Sequence, residues 1–139
     1  ANYERWAAEF EKLDAEFTEG LANANLSSRN LVVSHEAFGY LCDAYGLTQV
    51  AIAGIDAEGE PNAQQMAEIA QFVRENNVKT IFSEELVSPK VAQTIASETG
   101  ATVEELNPLE GLSDEELAAG EDYLSVMRNN LSAMREALA

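Results

Sequence analysis

Leu31-Val32-Val33-Ser34-His35-Glu36-Ala37-Phe38-Gly39-Tyr40-Leu41-Cys42-Asp43-Ala44-Tyr45-Gly46-Leu47 is the stretch on which the fold turns. Leu31 to Ser34 form a short apolar, β-branched run, the pattern of a strand buried on both faces. The run stops at His35. A helix follows with Phe38, Leu41 and Cys42 on one side, and Gly46 is a suitable C-terminal stop. Val50 to Ile55 is a second apolar run. Strands separated by helices of this length pair in parallel through right-handed crossovers.

The same alternation continues outward. A loop from Ile55 to Pro61 leads to Asn62, which can cap a helix carrying Met66, Ile69, Ala70 and Val73. Asn76-Asn77 ends that helix, and Val78 to Ser83 is a third strand. Ser88-Pro89 reads as cap plus first helical residue of a helix with Val91, Ala92 and Ile95 that stops at Gly100. Ala101 to Leu106 is a weaker fourth strand, and Asn107 to Gly111 is a loop. Ser113 and Glu116 make a capping box, and a long closing helix holds Tyr123, Met127, Leu131, Met134 and Leu138. Upstream, Trp6, Phe10, Leu13, Phe17 and Leu21 form one stripe of an amphipathic helix over residues 2–23. Asn23 to Asn30 is a polar connection. The pattern predicts an α/β, three-layer unit with a roughly four-stranded parallel sheet flanked by helices.

Composition narrows the function. The 139 residues suit one core, and an apolar content of 46% is enough to fill it. Twenty-five acids against eight Lys and Arg give a net charge of −17. That argues against nucleic acid and against an anionic membrane surface as direct partners, because both are recognised by basic groups. The acidity keeps the chain soluble and also raises the local cation concentration. Cys42 is the only cysteine, so no internal disulfide and no four-thiolate zinc site can form, and it reads as a small buried hydrophobe. No apolar run is long enough to span a bilayer as a helix. No signal peptide is visible; a cytosolic protein, a mature form and a trimmed piece all fit.

Ligands of open parallel sheets bind outside the carboxyl ends of the strands. Polar groups fall at three of those ends: Ser34-His35, Glu84-Glu85, and Asn107 to Glu110. His35 is the sole histidine. Imidazole is the commonest metal ligand and a carboxylate can complete a zinc site, whereas a lone strand-end histidine also serves as ordinary hydrogen-bonded structure. Other chemistries lack their motifs: there is no G-x-G-x-x-G, no phosphate-loop lysine and no G-x-S-x-G elbow. Ser34 and His35 are adjacent in a strand and point to opposite faces, so they are not a catalytic pair. Glu84 or Glu85 as a general base with His35 as acid is the enzymatic alternative; the plain reading is a solvated or capping pair. Phe38, Tyr40 and Tyr45 look like packing aromatics.

Whole segments carry a resemblance. Leu31 to Leu47, LVVSHEAFGYLCDAYGL, resembles a segment that reads roughly V-x-S-H-x-A-F-G-Y-L-x-x-x-Y-G-L in zinc-binding receptors of ATP-binding-cassette (ABC) importers. TQVAIAGIDAEGEPNAQQMAEI, TIFSEELVSPKVAQTIASETGA, LNPLEGLSDEE and DYLSVMRNNLSAMREAL resemble the following stretches in order. The family is that of cluster A-I solute-binding proteins of the ZnuA and AdcA type.

The resemblance implies a two-lobed fold with a long rigid helix between the lobes and the metal in the cleft. Residues 1–24 would be the end of that inter-lobe helix and residues 25–139 the C-terminal metal-binding lobe. A missing N-terminal lobe would supply two further histidines. By position, His35 matches the first ligand of this lobe. Glu110 is the better candidate for the fourth, because the place where many relatives carry an aspartate is here the amide Asn107; a water is the alternative. Ser34 and Glu84 would support the ligands or, like Asn107, stand in for one. Imidazole at position 35 favours Zn2+ over Mn2+ or iron. The implied protein is not an enzyme. It would be exported to the periplasm or anchored as a surface lipoprotein, and would deliver zinc to an ABC permease. An adhesin-like surface role and a manganese- or iron-binding role are the family alternatives. The face left bare on the lobe alone would favour self-association.

Overall fold

The computed structural model describes residues 2–34, 36–52, 61–84, 89–109 and 112–139. Its elements are α1 (Asn2–Phe17) with a π-helical turn (Thr18–Ala22), β1 (Asn30–Val33), α2 (Gly39–Tyr45), β2 (Thr48–Ala51), α3 (Ala63–Glu75), β3 (Thr80–Ser83), α4 (Lys90–Thr99), β4 (Thr102–Glu105), α5 (Asp114–Ala118) and α6 (Tyr123–Leu138). The sheet has four strands in the order β2-β1-β3-β4, and every pair is parallel. The expected α/β class and the flanked four-stranded sheet are therefore what the chain forms.

The sheet divides the interior in two. Leu31, Val33 and Phe82 face one layer, where they pack with Phe17, Leu21, Cys42, Leu131 and Met134 from α1, the π turn, α2 and α6. Val32 and Ile81 face the other, against Ala70 and Val73 of α3 and Ala92 and Ile95 of α4. Alternate residues of a two-sided strand bury on opposite faces, and this is why β1 reads as continuously apolar.

Local signals account for most helix ends. Asn62 and Gln65 form a capping box on α3, and Ser113 and Glu116 form one on α5. Gly46 and Gly100 end α2 and α4 in the left-handed conformation at φ 70° and 80°. Three expectations need correction. The closing stretch is two helices, because Gly120 (φ 79°) ends the first and Asp122 with Ser125 caps the second. Pro89 is the N-cap residue of α4 and not its first helical residue, while Ser88, the expected cap, lies outside the described residues. Tyr40 is 94% exposed and is no packing aromatic, unlike the buried Phe38. The reach of the second strand beyond Ile52 also lies outside the described residues.

The end of the first helix is locked. The Asn23 N–H reaches back to Thr18 O at 2.8 Å, which closes the π turn. Arg29 then donates to Leu21 O at 2.7 Å, to Ala24 O at 2.8 Å and to Ala22 O at 3.4 Å, satisfying carbonyls that a helix end leaves bare. Gly20 lets α6 come close: a Cβ there would sit 3.0 Å from both Leu131 Cδ1 and Arg135 Cδ.

Candidate metal centre

Successive connections run outward from β1 on both sides. The β1–α2–β2 crossover goes one way, and the chain then returns past β1 to place β3 on its other side. The switch point between β1 and β3 is where parallel sheets bind ligands. Ser34 follows β1 there, and Glu84 follows β3. Ser34 Oγ donates to Phe82 O at 3.1 Å, tying the two strand ends together. Glu84 is 5% exposed, a carboxylate sunk into the rim. Desolvation makes such a group costly unless it is compensated, and so worth explaining. Ser83 Oγ reaches Glu104 O at 3.5 Å on the next strand.

His35, the residue after Ser34, lies outside the described residues, as do Glu110 and Glu85. Among the described residues no group of three His, Cys, Asp or Glu side chains is arranged to hold a metal. Cys42 is not a ligand in this arrangement. Its thiol is buried in α2, and burial, with the Asp43 charge adding to it, pushes it up to about 11, so the thiolate a metal needs is scarce at neutral pH.

The third strand end carries the most detailed polar structure. Asn107, two residues beyond β4, is buried, as is Asn130 in the middle of α6. The Asn107 N–H donates to Asn130 Oδ1 at 3.0 Å, and Asn130 Nδ2 donates to Asn107 O at 2.7 Å. One carboxamide thus satisfies both main-chain groups of Asn107, as a neighbouring strand would. The side chain of Asn107 is occupied as well. Its Oδ1 accepts the Leu109 N–H at 2.8 Å, and its Nδ2 donates to Glu116 Oε1 at 2.9 Å. Glu116 Oε2 accepts the Ser113 N–H at 2.8 Å. Leu109 is held at φ 59°, a left-handed conformation that costs a branched residue about 1 to 3 kcal/mol and persists only where its surroundings impose it.

Ser34, Glu84 and Asn107 therefore stand on the carboxyl rim of three adjacent strands, as the sequence suggests. Asn130 and Glu116, which hold Asn107, are residues that sequence reasoning did not connect with this strand end. The signal was available for Asn130: a polar residue four positions from Met134 interrupts the apolar stripe of α6, and buried amides are kept for the bonds they make.

The family model for ZnuA, zinc-uptake complex component A, periplasmic, matches residues 1–137. The high-affinity zinc uptake system protein ZnuA of Bacillus subtilis is 42% identical over 137 residues, which is 99% of this chain and 42% of that protein. The zinc-binding protein AdcA of Streptococcus pyogenes serotype M1 is 39% identical over 135 residues, 97% of this chain and 26% of that protein. Among solved structures, the Zn(II)-bound ZnuA-like domain of Streptococcus pneumoniae AdcA superposes with a TM-score of 0.80 at 39% identity, over 99% of this chain and 51% of that one. The laminin-binding protein Lbp of S. pyogenes superposes with a TM-score of 0.86 at 40% identity, over 99% of this chain and 52% of that one. The chain thus spans about half or less of each of these relatives, and with the family model matched along nearly its whole length it belongs to the ZnuA family of periplasmic zinc-uptake components.

Proposed function

We propose that this chain is the C-terminal lobe of an extracytoplasmic solute-binding protein that captures Zn2+ and hands it to an ABC importer. Residues 1–24 serve as the end of the inter-lobe helix and residues 25–139 as the metal-binding lobe. The observation that carries the reading is positional. In a family of zinc-uptake components, β1 ends at the switch point of the sheet with the chain's one histidine next in sequence after Ser34, and Glu110 comes after β4 and Asn107 in the sequence. His35 supplies an imidazole and Glu110 a carboxylate to the cation. The lobe preceding this one supplies the remaining ligands, with Ser34 and Glu84 supporting from the sheet. No bond is made or broken in the cargo, so the protein acts by binding and not as an enzyme.

The locked end of α1 bears on how such a cleft closes. Arg29 and the close fit of Gly20 against α6 make the helix and the lobe one rigid piece. Closure is then a rigid-body movement of limited range, not a swing on a flexible loop. Location outside the cytoplasmic membrane, in the periplasm or on a lipid anchor, follows the names of relatives such as the zinc-binding lipoprotein AdcA of S. pneumoniae. Calorimetric titration of the complete protein with Zn2+, beside His35→Ala and Glu110→Ala, tests the assignment. Loss of affinity in both supports it, and unchanged affinity in His35→Ala removes the central ligand and with it the reading.

A further inference from the structure

The large apolar side chains that α1 exposes lie on one face and toward one end. Tyr3 is 84% exposed, and Trp6, Phe10 and Tyr123 of α6 are between 41% and 47% exposed. Trp6 lies 6.3 Å from Phe10, and Phe10 meets Tyr123 edge-on at 5.6 Å. Three rings thus form a ladder, with Tyr3 one turn above on the same side. The ladder continues the stripe of Leu13 and Phe17, which are interior. Its height follows from α6. That helix holds Asn107, just past β4, through Asn130, and ends where Leu138 O accepts the Ser28 N–H ahead of β1. It therefore runs from the carboxyl rim toward the amino ends of the strands. Tyr123 precedes Asn130 by roughly two turns, or about 10 Å along the axis. Gly20 meets Leu131 and Arg135 while Phe10 meets Tyr123, so α1 runs alongside α6 in the same direction. The ladder therefore stands past the strand ends, and its apolar face looks over them.

We propose that this ladder is the seat of the preceding lobe, occupied with or without the cation, and so the fulcrum about which the cleft opens. The proposal rests on the two-lobed reading above. This chain covers 52% of Lbp and 51% of the AdcA domain, so in those relatives a body of about its own size stands beside the matched part. A contiguous aromatic face is the usual mark of a surface that another body covers. A second copy is the weaker occupant, because two chains of charge −17 repel each other. The rings sit on the connecting helix itself. In a rigid-body rotation the points nearest the connection move least, so contacts here persist while the far rim opens. A face uncovered at every opening would instead leave an apolar patch in water in the state that awaits the cation.

Trp6 is the only tryptophan of this chain and reports on the seat. The emission that the complete protein loses on Trp6→Phe belongs to this ring. It should be shifted to the blue and quenched by acrylamide several-fold less than the emission of residues 1–139 alone, in chelator and in Zn2+ alike. Shielding that appears only with Zn2+ makes the ladder a closing face and overturns the fulcrum. A ring equally open in the complete protein overturns the seat. Shielding that grows with protein concentration assigns the face to a second copy and overturns it too. Phe10→Asp should open Trp6 to the quencher and weaken zinc binding by about 10-fold, the loss expected when an aromatic anchor leaves an interface. Should Phe10→Asp fail to fold, Tyr3→Asp takes its place, since a ring 84% exposed contributes little to the packing of this lobe. The same two changes are expected, and their absence overturns the proposal. His35→Ala runs in parallel. If that variant binds zinc normally, the site reading has failed, whatever Trp6 reports; if it loses zinc while Trp6 is open in the zinc-free protein, the seat alone has failed.

Discussion

Cys42 and Ser34 show how much a single side chain decides. The Cys42 thiol is raised from 9.0 to about 11, chiefly by burial. A native state that keeps this proton when the unfolded chain has released it is favoured below pH 9 and loses nothing there. As pH climbs from 9 toward 11 the folded thiol still resists ionisation while the unfolded one does not, and the advantage is lost across that window. We expect stability, read from urea midpoints, to fall there, and Cys42→Ala to flatten the fall whatever it costs at neutral pH. A slope unchanged by the substitution would assign the alkaline loss to other groups. Ser34→Ala removes one bond to Phe82 O and should cost about 1 kcal/mol, seen as a small shift in the same midpoint. A larger loss would mean that the hydroxyl has partners beyond that carbonyl. At this scale the sequence was informative where a residue type has one dominant use, as with the cysteine. It was misleading where side-chain identity leaves the role open: Tyr40 looks like a packing aromatic and stands in solvent, because α2 and its cap turn Phe38 and Cys42 inward instead.

Elements were legible wherever a helix carries its own punctuation. Asn62, Ser113, Gly46 and Gly100 mark ends that the structure keeps. The break between α5 and α6 was missed because the apolar stripe from Tyr123 onward masks the stop at Gly120. The stripe of α1 is likewise only half buried: Leu13 and Phe17 are interior, but Trp6 and Phe10 are 41% and 46% exposed. Periodicity shows which face is apolar and not what covers it. Phe10 meets the Tyr123 ring edge-on at 5.6 Å, and beyond that contact the helix rises clear of the core. The π turn had no sequence signal at all. Its hold depends on Arg29, and Arg29→Met should lower the unfolding free energy by about 2 kcal/mol, because three carbonyls lose a charged donor. A denaturation midpoint that does not move would show that water replaces the guanidinium without loss. The ion pairs from Arg128 to Glu16 at 2.9 Å and to Glu9 at 3.7 Å also join α6 to α1, but both are open to solvent and screened, so they add little.

For the whole molecule, alternation of strands and helices was enough to give the parallel sheet, while the strand order β2-β1-β3-β4 is fixed by packing that no single segment encodes. The candidate site was legible as a set of strand ends and illegible as a network, because its bonds join residues far apart in the chain. Charge and ligand count each set an expectation at this scale. At −17 the chain repels itself, and the Debye length shortens to about 10 Å at about 0.1 M salt. Melting temperature should therefore rise from low to moderate NaCl, and a flat profile would show that the acids are spaced too widely to matter. On the proposed reading, this chain by itself contributes His35 and Glu110, two of the ligands zinc needs. A closed protein site is worth about 10 to 16 kcal/mol, so half of its ligands should leave binding weaker than about micromolar by calorimetry. Nanomolar binding by the monomeric chain would contradict the two-lobed account.

The position of α6 couples what the rest of the fold keeps apart. One side of this helix, through Leu131 and Met134, seats the entering helix, and Asn130 grips the strand end above. The helices α3 and α4 pack in the separate core across the sheet. Evolutionary drift should divide along that line: lineages can rewrite α3 and α4 freely as long as the volume is kept, whereas a change in the spine of α6 must be answered at both of its contacts at once.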